Sequence, residues 1–113
     1  MNQAGVKATS KPEVQAKLQA LFWDYDFDSL TWANDRDLII GRVLAYGDWE
    51  TVSWLWRQVG EGELRSWIER HQGRGLDDRK LRFWELILGL SHRQVNAWMS
   101  SPGRRLWERR NRP

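Results

Sequence analysis

The stretch DLIIGRVLAYGDWETVSWLWRQVGEGELRSWI, residues 37–68, contains the pattern that decides the fold. Its apolar residues recur at steps of three and four positions, most regularly across 49–59, which is the spacing of one face of an α-helix. Gly47 ends one helix, Asp48 caps the next, and two glycines punctuate the chain after that helix. The stretch therefore predicts three short helices in succession, joined by tight turns.

The same helical spacing continues on both sides of this stretch, and no convincing pair of strands appears in the sequence. The expected fold class is therefore all-α: a compact array of five to six short helices packed as antiparallel hairpins. We expect a single helical domain at residues 10–101, between a flexible N-terminus at 1–9 and a basic C-terminal tail at 102–113. The predicted helices cover residues 11–21, 35–46, 49–59, 61–71, 78–88 and 91–99.

Some side chains can be assigned from the pattern alone. Ser10 and Asn34 are the predicted caps of the first and second helices, since both precede a helical stretch and carry a short polar side chain. Tyr46 and Trp49 belong to apolar stripes and are predicted to face inward. Helix 78–88 is apolar on nearly all sides, which predicts that it is the central buried helix.

The composition narrows the classes of function. With 113 residues, 41% hydrophobic and 29% charged, the chain is expected to fold, and no apolar run approaches the ~20 residues that span a bilayer. The absence of cysteine excludes disulfides, zinc fingers and thiol nucleophiles. Two histidines without a nearby serine and acid leave no catalytic constellation. We therefore expect a cytoplasmic protein that is not an enzyme, with no cofactor, no metal and no membrane partner.

Tryptophan and charge point instead to protein partners. The chain has nine tryptophans, and arginine outnumbers lysine. Both Trp and Arg are enriched among the residues that anchor interfaces. Residues 24–50 carry a net charge of −5 and residues 51–113 a net charge of +6. An acidic segment followed by a basic one favours either pairing of the two segments with each other or binding to two partners of opposite charge.

Segment 22–32, FWDYDFDSLTW, alternates aromatic residues with aspartates. We interpret it as an ordered loop whose inward-facing residues are Phe22, Tyr25, and Phe27 or Leu30. We expect a contact surface for a basic partner to include Trp23, Asp24, Asp26, Asp28 and also Trp54, which falls off the apolar stripe of its helix. The alternative for the aspartates is a solvated loop.

Segment 81–99, LRFWELILGLSHRQVNAWM, resembles a helix-turn-helix. Gly89 would hold the turn and Ser91 would cap the recognition helix. Base contacts at 91–99 would then come from Arg93, Gln94 and Asn96. Glu85 departs from the pattern, which places a small residue there, and an ordinary capped hairpin is the alternative.

The tail adds a second predicted contact to nucleic acid, through Arg104, Arg105, Arg109 and Arg110. We expect Trp107 to dock onto the body while these arginines stay free, and deletion of 103–113 to leave the melting temperature nearly unchanged. A frayed terminus is the alternative.

A broader resemblance covers about residues 21–90. Its landmarks are LFWD at 21–24, IxxRVLxxGD ending at Asp48, the Trp54–Leu55 pair, and FWxLxLGL at 83–90. With these the chain resembles a family of small all-helical bacterial domains of unknown function, similar to antitoxins that accompany nucleotidyltransferase-type toxins of abortive-infection systems.

The resemblance implies an antitoxin-like module that binds and neutralises a nucleotidyltransferase-like toxin. The alternative is a DNA-binding transcriptional regulator that uses residues 91–99. Helical hairpins rich in tryptophan are also compatible with a homodimer.

Overall fold

The computed structural model describes residues 11–104, and every regular element in that range is a helix. The all-α fold class is confirmed, and the described residues contain no strand. A short 3-10 helix, Phe27–Ser29, precedes the second α-helix. The α-helices are α1 Pro12–Leu21, α2 Trp32–Tyr46, α3 Trp49–Val59, α4 Glu61–His71, α5 Asp78–Leu88 and α6 His92–Met99.

The chain divides into two compact units, the first ending at Gly60 and the second beginning at Glu61. In the first unit α1, α2 and α3 pack against one another, and in the second α5 packs against both α4 and α6. A single domain over 10–101 stays a prediction. The largest fully buried side chains of the first unit are Phe22, Leu18, Ile39, Ile40, Leu44 and Leu55. Those of the second unit are Trp84, Leu64, Ile68, Leu76, Leu81 and Leu88.

The turn between α2 and α3 forms as the sequence predicts. A Cβ atom on Gly47 would lie 2.6 Å from the carbonyl oxygen of Val43, so only glycine fits between the two helices without a shift. Asp48 caps α3, because its Oδ1 accepts a hydrogen bond of 2.9 Å from the amide of Thr51. The Nζ of Lys17 lies 2.7 Å from Asp48 Oδ2, which ties α1 to α3. One aspartate thus begins a helix and joins two helices.

This aspartate predicts a pH dependence of stability. The Lys17 hydrogen bond, together with the Thr51 amide, lowers the pKa of Asp48 from 3.8 to about 2. Because the folded-state pKa is depressed, the stabilisation is complete above the unfolded-state pKa and is lost as the pH falls from about 4 towards 2. Urea unfolding of the wild-type chain and Asp48→Asn should therefore differ at pH 6 and converge near pH 2. A difference that is constant with pH would contradict this account.

The second helix starts earlier than predicted, at Trp32 rather than Asp35. Thr31 is its cap, not Asn34: the hydroxyl of Thr31 accepts a 3.2 Å hydrogen bond from the amide of Asn34. The carboxylate of Asp35 accepts a 2.9 Å bond from the Thr31 amide in return. The backbone departs from helical angles at Asp35, so the added first turn is kinked. These two local bonds favour the earlier start.

The start of α1 differs from prediction too. Its N-cap residue is Lys11, which makes no side-chain capping bond. The predicted cap Ser10 lies outside the described residues.

Several apolar residues predicted to face inward are exposed. Tyr25, Tyr46 and Trp49 lie on the surface, while Phe22, Phe27 and Leu30 are buried as expected. Helix α5 is not a central buried helix. Its neighbours cover only the side of Leu81, Trp84 and Leu88, and an apolar stripe remains exposed on the other side. Helical periodicity identifies the stripes but cannot decide which of two apolar faces receives a neighbour.

Within residues 11–104, no helix combines the length and the apolar character needed to cross a bilayer.

Candidate interaction site

The first unit has an open groove of about 400 Å³ on its surface. We call it the aromatic groove, and its lining residues are Ala20, Leu21, Trp23, Asp24, Arg42 and Tyr46. Trp23 is 82% exposed and Tyr46 is 74% exposed. A tryptophan offers a large apolar surface, which is usually removed from water in a folded protein. Two such exposed rings beside one groove are typical of a surface that receives a partner's side chain.

Trp23 is exposed because the residues around it fix the backbone. Phe22, immediately before it, caps the end of α1 and is fully buried. The ring of Phe22 stacks on that of Phe27, with 6.4 Å between the centroids. The amide of Tyr25 donates a 2.9 Å hydrogen bond to the carbonyl oxygen of Phe22, which closes a turn over the two residues between them. With both ends of the turn held, Trp23 stays on the outside.

Arg42 of α2 organises the floor of the aromatic groove. Its guanidinium pairs with both carboxylate oxygens of Asp24, and its Nη1 donates a 3.2 Å hydrogen bond to the carbonyl oxygen of Leu21. The same guanidinium lies 5.4 Å from the ring centroid of Phe22 and 5.3 Å from that of Tyr25, within the range of cation–π contact. Arg42 therefore connects α2 to the end of α1 and to the turn that follows.

The aspartates of the segment differ in their surroundings. The hydrogen bond from Arg42 lowers the pKa of Asp24, so this group stays a carboxylate whose negative charge is compensated by the adjacent guanidinium. Asp26 and Asp28 are exposed, at the start and in the middle of the 3-10 region. The backbone carbonyl of Asp26, rather than its carboxylate, accepts hydrogen bonds from the amide and the hydroxyl of Ser29. Asp26 and Asp28 therefore add exposed acidic residues beside the Asp24–Arg42 pair.

Trp54, the fifth predicted partner-binding residue, is a core residue. It is 3% exposed, and its ring packs against Trp32 with 5.5 Å between centroids. This burial differs from the exposed position that the sequence predicts, because α2 begins at Trp32 and its first turn covers the side of α3 that the stripe left open. Trp49, which the stripe predicts to be inward, is 60% exposed.

Arg42 and Tyr46 are among the groove residues that sequence reasoning missed. Tyr46 occupies the last position of α2 and was assigned to the buried stripe. Arg42 stands among apolar residues, and only its position opposite the end of α1 reveals its partners. A charged residue within an apolar run is the one signal that the sequence offered.

The predicted recognition helix, α6, lies in the second unit. Three residues separate it from α5, with Gly89 in the left-handed conformation at φ 65° and Ser91 accepting a 3.2 Å bond from the Gln94 amide. Arg93 and Gln94 are exposed. Asn96 is exposed as well, but its Oδ1 accepts a hydrogen bond from Arg82 of α5.

Glu85, the departure from the helix-turn-helix pattern, connects the two helices. Its carboxylate lies 2.7 Å from Arg82 Nη1 and 2.7 Å from His92 Nδ1. The hydrogen bond with His92 is the main cause that lowers the pKa of the Glu85 carboxyl, and the hydrogen bond from Arg82 lowers it further. Together with the Arg82–Asn96 bond, they set α6 against α5 through polar side chains where a small residue was expected.

Arg104 is buried, whereas the sequence predicts an exposed contact to nucleic acid. The residue is 8% exposed and donates hydrogen bonds to the carbonyl oxygens of Gly73, at 2.9 Å, and Leu76, at 2.5 Å. It also pairs with Asp78 at 3.1 Å. A guanidinium with these partners stabilises the turn between α4 and α5. Arg105, Arg109, Arg110 and Trp107 lie outside the described residues.

The histidine of α4, His71, makes structural contacts. His71 packs at the end of α4, with its ring stacked on Trp67 at 4.0 Å and its Nδ1 2.7 Å from the Trp67 carbonyl oxygen. Within residues 11–104, no group of three or more His, Cys, Asp or Glu side chains is arranged to hold a metal ion.

The comparisons with known proteins concern mainly the first unit. Residues 18–68 match the model of a family of unknown function (DUF6922). The match begins within α1 and ends within α4, so it includes Arg42, Trp23 and the Gly47–Asp48 turn, whereas the FWxLxLGL segment lies beyond it. No curated protein and no solved structure matches the chain. Over residues 18–68, the chain is similar to a family whose function is not known.

Proposed function

We propose that this chain is a non-enzymatic, cytoplasmic protein-binding module whose aromatic groove receives a partner with a basic surface. The exposure of Trp23 beside Tyr46, maintained by buried Phe22 and by Arg42, is the observation that carries this proposal. A tryptophan fixed outside the core gives a rigid apolar anchor that loses little entropy on binding. Asp26 and Asp28 supply an acidic border, which would speed the approach of a positively charged partner.

The partner that we propose is a nucleotidyltransferase-like toxin, which the chain would neutralise as an antitoxin. This identity comes from the resemblance of the landmarks at 21–24, 39–48 and 54–55. The charge pattern supports it, because an enzyme that handles nucleotides presents cations to phosphate, and an acidic surface complements them. Binding at or beside such cations would compete with the substrate.

Replacing Trp23 with alanine is expected to abolish most of the binding without affecting the fold. The expected loss is at least about 30-fold in affinity, as for an interface anchor worth ~2 kcal/mol. Trp49→Ala is the matched control, because it removes an exposed tryptophan of the same unit that does not line the groove. The measurement is calorimetric titration against the protein encoded by the adjacent reading frame, with rescue of growth as the cellular readout.

The acidic border makes a separate contribution. Asp26→Asn with Asp28→Asn should slow association and reduce its dependence on salt, while dissociation changes little. If the wild-type chain neither binds the adjacent protein nor relieves its toxicity, the antitoxin proposal is wrong. If Trp49→Ala weakens binding as much as Trp23→Ala, the groove is not the site.

A second candidate function is DNA binding through α6. The three-residue turn, the left-handed Gly89 and the exposure of Arg93 and Gln94 favour it. In this proposal Arg93 and Gln94 contact bases, while Arg82 and Glu85 position the helix.

Selection from a random duplex library tests this second function. The wild-type chain should enrich a defined sequence, and Arg93→Ala with Gln94→Ala should lose the preference while retaining the fold by circular dichroism. Each lost base contact is expected to cost about 1–3 kcal/mol of discrimination. The absence of any enriched sequence with the wild-type chain would rule out DNA reading by α6.

A further inference from the structure

Helix α5 carries an apolar face that its neighbours leave exposed. It consists of Phe83, Leu86 and Ile87, and we call it the α5 apolar face. Leu86 is 81% exposed, whereas Ile87 is 38% exposed and Phe83 is 41% exposed. The three residues are spaced at i, i+3 and i+4, so they form one ridge along the helix, on the side opposite the buried Leu81 and Trp84. A single exposed leucine is ordinary, whereas an aligned ridge of three apolar side chains is typical of a surface that packs against another helix.

The charge around this face is positive. Arg79 is exposed one turn before Phe83, and the Nζ of Lys80 lies 5.9 Å from the centre of the Phe83 ring. The two acids of α5 are held by other groups: Asp78 pairs with buried Arg104, and Glu85 pairs with Arg82 and His92. Their charges are therefore compensated within the second unit. Within α5, the cations Arg79 and Lys80 therefore remain beside the apolar ridge.

This charge decides which occupant fits. A second copy of the chain packed through α5 would offer Arg79 and Lys80 no uncompensated acid of that helix, which disfavours a symmetric pair. The chain's own residues 105–113 carry four arginines and one glutamate, so their charge also has the wrong sign. An occupant with an apolar stripe and acidic flanks satisfies both the ridge and its border.

We propose that the α5 apolar face binds an amphipathic helix of a partner protein whose apolar stripe is flanked by aspartate or glutamate. The partner's stripe packs against Phe83, Leu86 and Ile87 as ridges into grooves, and its acids pair with Arg79 and Lys80. This surface differs in chemistry and in unit from the aromatic groove. A chain with both surfaces would join a basic partner to an acidic one.

Two synthetic helical peptides of about 20 residues test the proposal. Both carry leucines at i, i+3, i+4 and i+7, and one has glutamates at the flanking positions where the other has lysines. Binding to the full chain is measured by fluorescence anisotropy of labelled peptide. The glutamate peptide is expected to bind at least about tenfold more tightly than the lysine peptide, a difference of ~1.4 kcal/mol.

Variants then locate the site. Leu86→Gln, an exposed change to a residue that favours helix, should weaken binding of the glutamate peptide about tenfold. Arg79→Glu with Lys80→Glu should reverse the preference between the peptides. Tyr46→Ser, an exposed change in the aromatic groove, should leave binding of the glutamate peptide unchanged, so this test is independent of the proposed function above.

Three results would overturn the proposal. The first is that the glutamate peptide does not bind, or binds no better than the lysine peptide. The second is that Leu86→Gln binds it as well as the wild-type chain does. The third is that light scattering shows a wild-type dimer that Leu86→Gln converts to a monomer, because the occupant would then be a second copy.

Discussion

Replacing Trp54 with alanine is expected to lower the free energy of unfolding of the first unit by about 3–5 kcal/mol. The side chain is buried against Trp32, and its removal leaves a cavity between α2 and α3 that the neighbouring backbone cannot fill. A small domain is stable by only about 5–15 kcal/mol, so a large part of its stability would be lost. Urea unfolding followed by circular dichroism measures the change.

Trp49→Ala is the matched control for this prediction. It removes the same residue type from the same helix, but the side chain is exposed. A surface substitution of this kind is expected to change stability by no more than about 0.5 kcal/mol. Equal effects of the two variants would mean that Trp54 is not a core residue. A loss of partner binding by Trp54→Ala without a loss of stability would restore the role predicted from the sequence.

Replacing Arg104 with alanine is expected to destabilise the second unit by about 2–3 kcal/mol, because buried carbonyl oxygens would be left without donors. The guanidinium satisfies the carbonyls of Gly73 and Leu76 and pairs with Asp78, so one side chain closes the turn between α4 and α5. Thermal and urea unfolding report the loss. A deletion of residues 103–113 removes Arg104 and should destabilise the unit at least as much. The sequence, in contrast, predicts a nearly unchanged melting temperature for this deletion.

Two variants separate this role from a general effect of charge. Arg104→Lys keeps the charge but not the planar set of five donors, so it should recover only part of the stability. Arg74→Ala removes an exposed arginine of the same turn and should change stability by no more than about 0.5 kcal/mol. If Arg104→Ala were as stable as Arg74→Ala but bound nucleic acid less tightly, the phosphate-contact interpretation of Arg104 would be right after all.

The candidate site shows where sequence reasoning succeeds. Asp26 and Asp28 were assigned to the surface because the aspartates alternate with aromatic residues, and Trp23 because tryptophan is enriched among interface anchors. Asp24 was assigned to the same surface, but its charge is compensated by Arg42, eighteen residues further along the chain. The exposure of the aspartates followed from the local pattern. The compensation of the Asp24 charge depends on a contact with Arg42, which no local pattern contains.

Within residues 11–104, the sequence by itself determined the local elements: the all-α class, the succession of short helices, and the Asp48 and Ser91 caps. These follow from interactions within a few residues, namely helical periodicity, glycine turns and side-chain caps.

Only the tertiary structure decided which apolar faces are buried and which cations are free. Trp54 is covered because Trp32 lies against it, and Arg104 is enclosed because the 73–78 turn presents carbonyls to it. Leu86 is exposed because no helix within residues 11–104 packs on its side of α5. Burial depends on contacts between residues far apart in sequence. Helical periodicity shows which residues share one face of a helix, but it does not show which helix packs against that face.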